Sequence, residues 1–468
     1  MRKSLFVLVA AMTVMMAVPA LAELQNVEVG GSLRMRGNWY STVSDVSGFS
    51  NISFDNDDSD ALYVEQRTRL NVKADFTDDV TAFIELDSYN SWGDDGFRRF
   101  AAVDTFNASD QQYSTYSGRL VAPFGSLSTS GTNVNFYQGY IQMNEAWGYP
   151  ITLKMGRSEM QHGSEFLVGN QDTSSGFVGL SFDGIWGTYA GDSFWVQAFW
   201  TRIVQNNAPT WESSGDIDFM GLYGSYTGIE DMTIDGYYYY LHQAETAFNS
   251  VFGSPPQEQS SQLHTVGARF AGNKGGFDWE ANGAYQFGDS GALEPPALSD
   301  SFNSFGAQGA LGYTFDIDLA PRVFANAGYY HSDDEDPAFR RLFSDHEYSE
   351  FLDSGDLSNM WFLGGGAGVQ ITEAIGLMAV VNWFNAVEDY GASDEDLGFE
   401  VGLYATYAYS EDLTFSAGWA HLFVGDGLDS SNLTDSGTGI PLINSGRNAF
   451  TLGDDDVDYV FIESTISW

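Results

Sequence analysis

The 468 residues carry 64 acidic against 19 basic side chains, a net charge of −45, with no cysteine and with aromatic residues at 15% of the chain. A polyanion of this strength repels nucleic acid, and a chain without cysteine forms no disulfide, so nucleic-acid partners and a disulfide scaffold are both excluded. Strong acidity with few aromatics would mean disorder, but 35 Phe, 25 Tyr and 12 Trp beside 52 Gly point to a folded chain of strands and tight turns.

The chain opens with MRKSLFVLVAAMTVMMAVPALA, where Arg2 and Lys3 precede an apolar run and Ala20-Leu21-Ala22 forms a small-x-small signal before Glu23. This reads as a cleaved export leader over 1–22, leaving 23–468 as one barrel domain. Loss of Arg2 and Lys3 takes the net charge from −45 to −47. No later segment approaches the roughly 20 apolar residues of a spanning helix.

From there the pattern alternates with a period of two. In LRMRGNWY, Leu33, Met35 and Trp39 oppose Arg34, Arg36 and Asn38. Next, Tyr63, Glu65, Arg67, Arg69, Asn71, Lys73 and Asp75 share one face, while Leu62, Val64, Leu70 and Val72 share the other. Glu85 and Asp87 follow on the third segment; Lys154 is opposite in parity to Leu153 and Met155. Arg269 runs with Thr265 and Gly267, and in FDWEANGAYQFG the residues Phe277, Trp279, Ala281, Tyr285 and Phe287 oppose Asp278, Glu280, Asn282 and Gln286. In LGFEVGLYATYAYS, Leu397, Phe399, Val401 and Leu403 share a face. The chain closes on YVFIESTISW, with Val460, Ile462, Ile466 and Trp468 on one parity.

Eighteen such segments are expected, at 27–40, 61–76, 80–92, 134–145, 150–157, 177–190, 193–204, 217–227, 231–242, 261–272, 276–288, 303–316, 320–332, 359–372, 375–387, 396–410, 412–425 and 457–468. Their connections alternate between short turns, such as 77–79, 191–192, 273–275 and 373–374, and long loops, such as 41–60, 93–133, 333–358 and 426–456. Long alternating strands with short turns on one rim and long loops on the other predict an all-β, transmembrane, antiparallel up-and-down β-barrel of about 18 strands in the outer membrane of a Gram-negative-type envelope. An even count puts both termini on the periplasmic side, with Trp468 in the aromatic girdle there. A sandwich or propeller does not predict this alternation, and no repeat of about 20–50 residues is visible.

Charge divides by location. The nine long connections hold 38 acidic and 6 basic residues, so the extracellular mouth is expected to be strongly negative. Those clusters are candidates for divalent cations, with solvated loops the blander reading. DNDDSD at 55–60 fails as a calcium loop, since Asp60 stands where Gly is needed and Gln66 where a bidentate Glu is needed. In the 333–358 loop, Phe339, Leu342 and Phe343 recur at helical spacing behind Asp336 and Pro337, predicting a short capped helix. The basic residues instead sit on strands. An Arg or Lys facing lipid at the bilayer midplane costs roughly 2–4 kcal/mol, so Arg34, Arg36, Arg67, Arg69, Lys73, Lys154 and Arg269 are expected to line the pore with Glu65 and Glu85. The arginines of the first two strands either form an anion-contacting strip or pair with Glu65, Glu85 and Asp87 to stiffen the wall.

One stretch goes further. ITLKMGRSEMQHGSEFLVGNQD holds Gly156-Arg157, His162-Gly163 and Leu167-Val168-Gly169, followed by Phe182-Asp183-Gly184, and YAYSEDLTFSAGWAHLFVGDG leaves a late hairpin through Gly425. These segments resemble the outer-membrane alginate export family of β-barrel porins. The resemblance implies a barrel channel, a pathway for an anionic uronate polymer, and Arg157 as a lumen or rim cation.

The leading expectation is a porin for small hydrophilic solutes, saccharides or anionic polysaccharide. Its surroundings would be membrane lipid and lipopolysaccharide, and no cofactor motif is present. The 93–133 loop, with Arg98, Arg99 and Arg119, is long enough to dip into the pore. A barrel enzyme is the rival from another class, but there is no Gly-x-Ser-x-Gly and no His-Glu-x-x-His among the six histidines. A structural or adhesive surface barrel is the third reading. No sequence feature decides the oligomeric state.

Overall fold

The computed structural model describes residues 24–41, 61–77, 79–92, 134–170, 172, 179–205, 216–244, 260–289, 301–333, 338–346, 348–352, 358–389, 394–427 and 456–468. The leader over 1–22, the DNDDSD segment, the 93–133 loop with its three arginines, and Asp336 with Pro337 lie outside the described residues.

The described residues form β1 (Asn26–Tyr40), β2 (Ala61–Thr77), β3 (Val80–Ser91), β4 (Asn135–Met143), β5 (Ile151–Ser158), β6 (Phe182–Ala190), β7 (Phe194–Val204), β8 (Ile217–Ile229), β9 (Met232–Gln243), β10 (Ser261–Lys274), β11 (Phe277–Asp289), β12 (Ser301–Thr314), β13 (Arg322–Tyr330), β14 (Met360–Thr372), β15 (Ile375–Ala386), β16 (Asp396–Ala408), β17 (Leu413–Val424) and β18 (Val457–Ser467). Each pairs antiparallel with its neighbours in sequence, and β1 pairs with both β2 and β18, so the sheet closes on itself. At the seam Leu33 lies opposite Ile466 and Tyr40 opposite Tyr459. Closure satisfies the backbone groups that an open edge would expose, the condition for a sheet to stand in hydrocarbon. Every expected segment is a strand. The largest displacement is β6, which begins at Phe182 rather than 177; Leu180 is instead held by Asn170, its amide donating to the Asn170 carbonyl at 2.6 Å.

The two faces sort by parity. Leu62, Val72, Ile84, Ile141, Leu311, Leu363 and Ile462 point outward and are uncovered by protein, and fully removing such a side chain from water is worth about 1.5–3 kcal/mol. That face belongs against acyl chains. Trp468, at the end of the closing strand, is locked to Gly31 by reciprocal backbone bonds of 3.1 Å and is exposed at the periplasmic rim with Trp147 and Tyr149, the position of an interfacial girdle.

One parity expectation is overturned. Leu397 does not share the outward face of Phe399 and Leu403; it is fully buried. The register shifts opposite it, between Phe384 and Asn385, and Gly398 adopts φ +105°, a bulge that turns Leu397 inward. A Cβ at Gly398 would stand 2.0 Å from the Phe423 carbonyl oxygen, so only glycine serves there.

The lumen is two-sided. From β6 to β18 its inner wall carries Phe182, Trp186, Phe219, Tyr239, Tyr330, Phe362 and Phe384, and the loops after β5 and β13 lay Phe166, Val168, Phe339, Phe343 and Leu352 onto those rings as one apolar cluster. From β1 to β5 the inner wall is mainly polar and charged, with the rings of Phe83, Tyr137 and Tyr140 set among the charges. The helix expected in the 333–358 loop does not form in its described residues. Phe343 instead makes a parallel bridge with Val168, its amide donating to the Leu167 carbonyl at 2.9 Å while the Gly169 amide donates to the Phe343 carbonyl at 2.8 Å. Phe339, Leu342 and Phe343 gain more from the ringed wall than a single helical turn could supply.

Candidate functional site: the lumen and its inward loops

Alternation along β1 and β2 turns Arg34, Arg36, Arg67 and Arg69 inward, and the register sets Arg34 directly opposite Arg67. Like charges facing across a ladder destabilise it, so the four guanidiniums need carboxylates. Glu463 on β18 accepts from Arg34 Nε at 2.8 Å and from Arg36 Nε at 2.7 Å. Asp172, from the loop after β5, accepts from Arg67 and from Arg69 Nη1 at 2.7 Å, and lies 3.9 Å from Arg34. Arg69 also donates to Asp87 at 3.0 Å, approaches Glu159 at 3.6 Å and stacks 4.0 Å over the Tyr137 ring. The four arginine side chains are only 4–7% exposed. They are a clamp on the loop carrying Asp172 as much as a lining.

Of the carboxylates expected to pair with these arginines, Asp87 does. Glu65 accepts instead from Asn38 at 2.8 Å and from the Tyr89 hydroxyl, and Glu85 from Gln138 at 2.8 Å. Both still face inward. The partners that reasoning along the sequence missed are Glu463, 429 positions from Arg34, and Asp172, 105 positions from Arg67. The alternating parity of YVFIESTISW, which places Glu463 on the polar face, was the available signal for the first; nothing local marks the second.

Of the remaining expected pore residues, Lys73 faces inward near the periplasmic end, 3.6 Å from Glu28 and 3.4 Å from Asp75. Arg269 faces inward between Asp235 at 2.9 Å and Glu280 at 2.7 Å. Lys154 also faces inward, donating to Ser158 Oγ at 3.2 Å and resting 4.5 Å over the Tyr140 ring. Arg157 is a correction. It shares the outward parity of Leu153 and Met155, at the extracellular end of β5, and grips Asp183 through two bonds of 2.8 and 2.7 Å. An interfacial position with a bidentate partner makes an outward arginine tolerable where the midplane would not.

Two loops fold into the barrel and are fastened there by polar contacts as well as by the apolar cluster. His162 places Nδ1 2.9 Å from the Tyr239 hydroxyl and Nε2 3.0 Å from Gln197 Oε1, stacked 4.4 Å from Tyr223. Burial lowers its pKa to about 4, so it is a neutral peg at physiological pH. On the other loop, the Arg340 backbone exchanges two 2.7 Å bonds with the Gln286 side chain, Asn382 donates to the Tyr348 carbonyl at 2.6 Å, and Glu400 accepts from the Ser349 hydroxyl and from the Glu350 amide at 3.0 Å. The loops also bind each other: the Asp345 amide donates to the Glu165 carbonyl at 3.1 Å, and the Asp172 amide donates to Asp345 Oδ2 at 3.0 Å. Among the described residues no cluster of three or more His, Asp or Glu is disposed to hold a metal ion.

A closed barrel with an apolar outer band, a polar wall inside and loops folded into its mouth defines the channel type of outer-membrane β-barrel protein. The chain belongs to the alginate export family, whose sequence profile matches residues 56–437. In fold it resembles Pseudomonas aeruginosa OccK8 (OprE), at 10% identity and a TM-score of 0.55 over 95% of this chain and 98% of that one. It also resembles P. aeruginosa OccK9 (OpdG), at 12% identity and 0.56 over 94% and 98%, and Acinetobacter baumannii OccAB2, at 11% identity and 0.53 over 94% and 98%. No curated protein sequence matches the chain.

Proposed function

We propose that this outer-membrane barrel is a passive, non-enzymatic channel for small hydrophilic solutes and saccharides, including acidic ones such as the alginate of its family. The observation that carries this reading is the charged wall from β1 to β5, where guanidiniums and carboxylates stand side by side in the lumen while the opposite wall is filled by loops. The field of these charges, more than direct contact with the nearly buried guanidiniums, acts on a hydrated solute or ion in the lumen. Lipopolysaccharide would meet the outer aromatic girdle.

The test is electrical. Purified protein in planar bilayers should give discrete single-channel currents, and an inserted barrel that never conducts would return the protein to an adhesive or enzymatic role. Changing Arg34, Arg36, Arg67 and Arg69 to Gln leaves Glu463, Asp172 and Asp87 uncompensated, so the reversal potential should move toward cations. Unchanged selectivity would confine the arginines to holding the wall.

A further inference from the structure

Among the described residues, every lysine or arginine carried by a strand lies within 4 Å of a carboxylate except one. That one is Lys154, in a chain where 64 carboxylates compete for 19 cations. Its ammonium has only the Ser158 hydroxyl and the face of Tyr140. Glu159, the carboxylate whose field reaches it, is committed to the Tyr137 hydroxyl at 2.6 Å and to Arg69. Inward neighbours across the ladder are neutral: Gln142 sits directly opposite Lys154 and Thr81 opposite Gln142. Phe83 stacks on Tyr140 at 5.2 Å, and both rings are half-buried on the same wall.

Position adds to this. Thr81 is six residues closer to the periplasmic turn along β3 than Asp87, the partner of Arg69. Lys154 therefore stands on the periplasmic side of the arginine clamp. A charge-assisted bond to an anion is open to an ammonium that no protein carboxylate occupies, and the ring pair beside it offers apolar surface to a pyranose.

We propose that Lys154, rather than the arginine strip, is the specificity-determining residue through which the lumen engages an acidic saccharide, with its carboxylate on Nζ and its ring against Tyr140 and Phe83. This deepens the channel reading and rests on it. The arginines already have their anions; Lys154 does not.

The test uses the full-length protein in detergent and in planar bilayers, comparing wild type, Lys154→Gln and Lys154→Arg. Trigalacturonate is the charged probe and maltotriose the neutral one. Wild type and Lys154→Arg should bind trigalacturonate by calorimetry and show block of ionic current by it, whereas Lys154→Gln should bind and be blocked about tenfold more weakly. Maltotriose should not distinguish the three. Equal trigalacturonate binding by wild type and Lys154→Gln, or none by wild type, overturns the proposal even if every protein conducts. Absence of probe-free conductance in all three would instead count against the channel reading, and calorimetry would still decide Lys154.

Discussion

Glu463 and Asp172 each serve more than one arginine, and that sharing sets what their loss should do. Removing one member of a buried ion network strands its partners in a low dielectric, at a cost of about 3–5 kcal/mol. Glu463→Gln leaves Arg34 and Arg36 without their common acceptor inside the β1–β18 seam, so the folded barrel should unfold at lower urea, read as earlier loss of its fast-migrating form on unheated gels. An unshifted midpoint would mean that water replaces the carboxylate. Asp172→Asn acts on the loop as well, because it removes the loop's carboxylate from Arg67 and Arg69 while Arg69 keeps Asp87 and Glu159. Single-channel conductance should rise and selectivity should move toward anions; a fall in conductance would contradict the clamp. At this scale the basic residues were readable in advance from parity, but their partners were not, since pairing runs across the seam and down from a loop.

At the scale of elements, the two inward loops meet at a pair of acids. Burial first, and the neighbouring Asp345 carboxyl next, raise the Glu165 pKa to about 7. Glu165 also sits at φ +66°, a conformation a non-glycine residue holds only when its surroundings insist. The other groups facing the pair are Gln161, donating to Glu165 at 2.7 Å, the Asp172 amide on Asp345, the negative charge of Glu159, and His346, whose Nδ1 meets the Ser164 carbonyl at 2.8 Å. A carboxyl raised in the clasped state favours the clasp while protonated, fully so below its ordinary value and less as pH climbs through about 7. Conductance should therefore increase as pH rises from the ordinary carboxylate value toward about 7 and level off above it. Glu165→Gln should flatten the profile at the low-pH level, and a profile identical to wild type would rule the pair out as a pH-dependent latch. The helical reading of Phe339, Leu342 and Phe343 failed at this same scale, because a turn at Leu342, where φ is +51°, and the bridge from Phe343 to Val168 bury all three side chains without a helix.

For the whole molecule the decisive contact is closure. The chain has no cysteine, so Leu33→Cys with Ile466→Cys, opposite one another across β1 and β18, introduces a single disulfide candidate in workable geometry. Oxidation should circularise the barrel, and the heat-denatured protein should migrate as a more compact species until reductant is added. Failure to cross-link with intact outer-membrane insertion would contradict the seam.

Strand number, strand faces, the alternation of turns and loops, and the inward direction of most basic residues follow from the sequence, because a period-two pattern between lipid and water permits only one arrangement of each strand. Arg157 departs because it lies at the interface, where the penalty for facing outward fades and an Asp183 partner is in reach. Leu397 departs because a glycine bulge resets parity. Which loops enter the lumen, which carboxylate each arginine holds, and that Lys154 holds none were decided by tertiary structure alone. Those facts depend on distances between residues far apart in the chain, and charge pairing across a closed barrel leaves no periodic trace along any one strand.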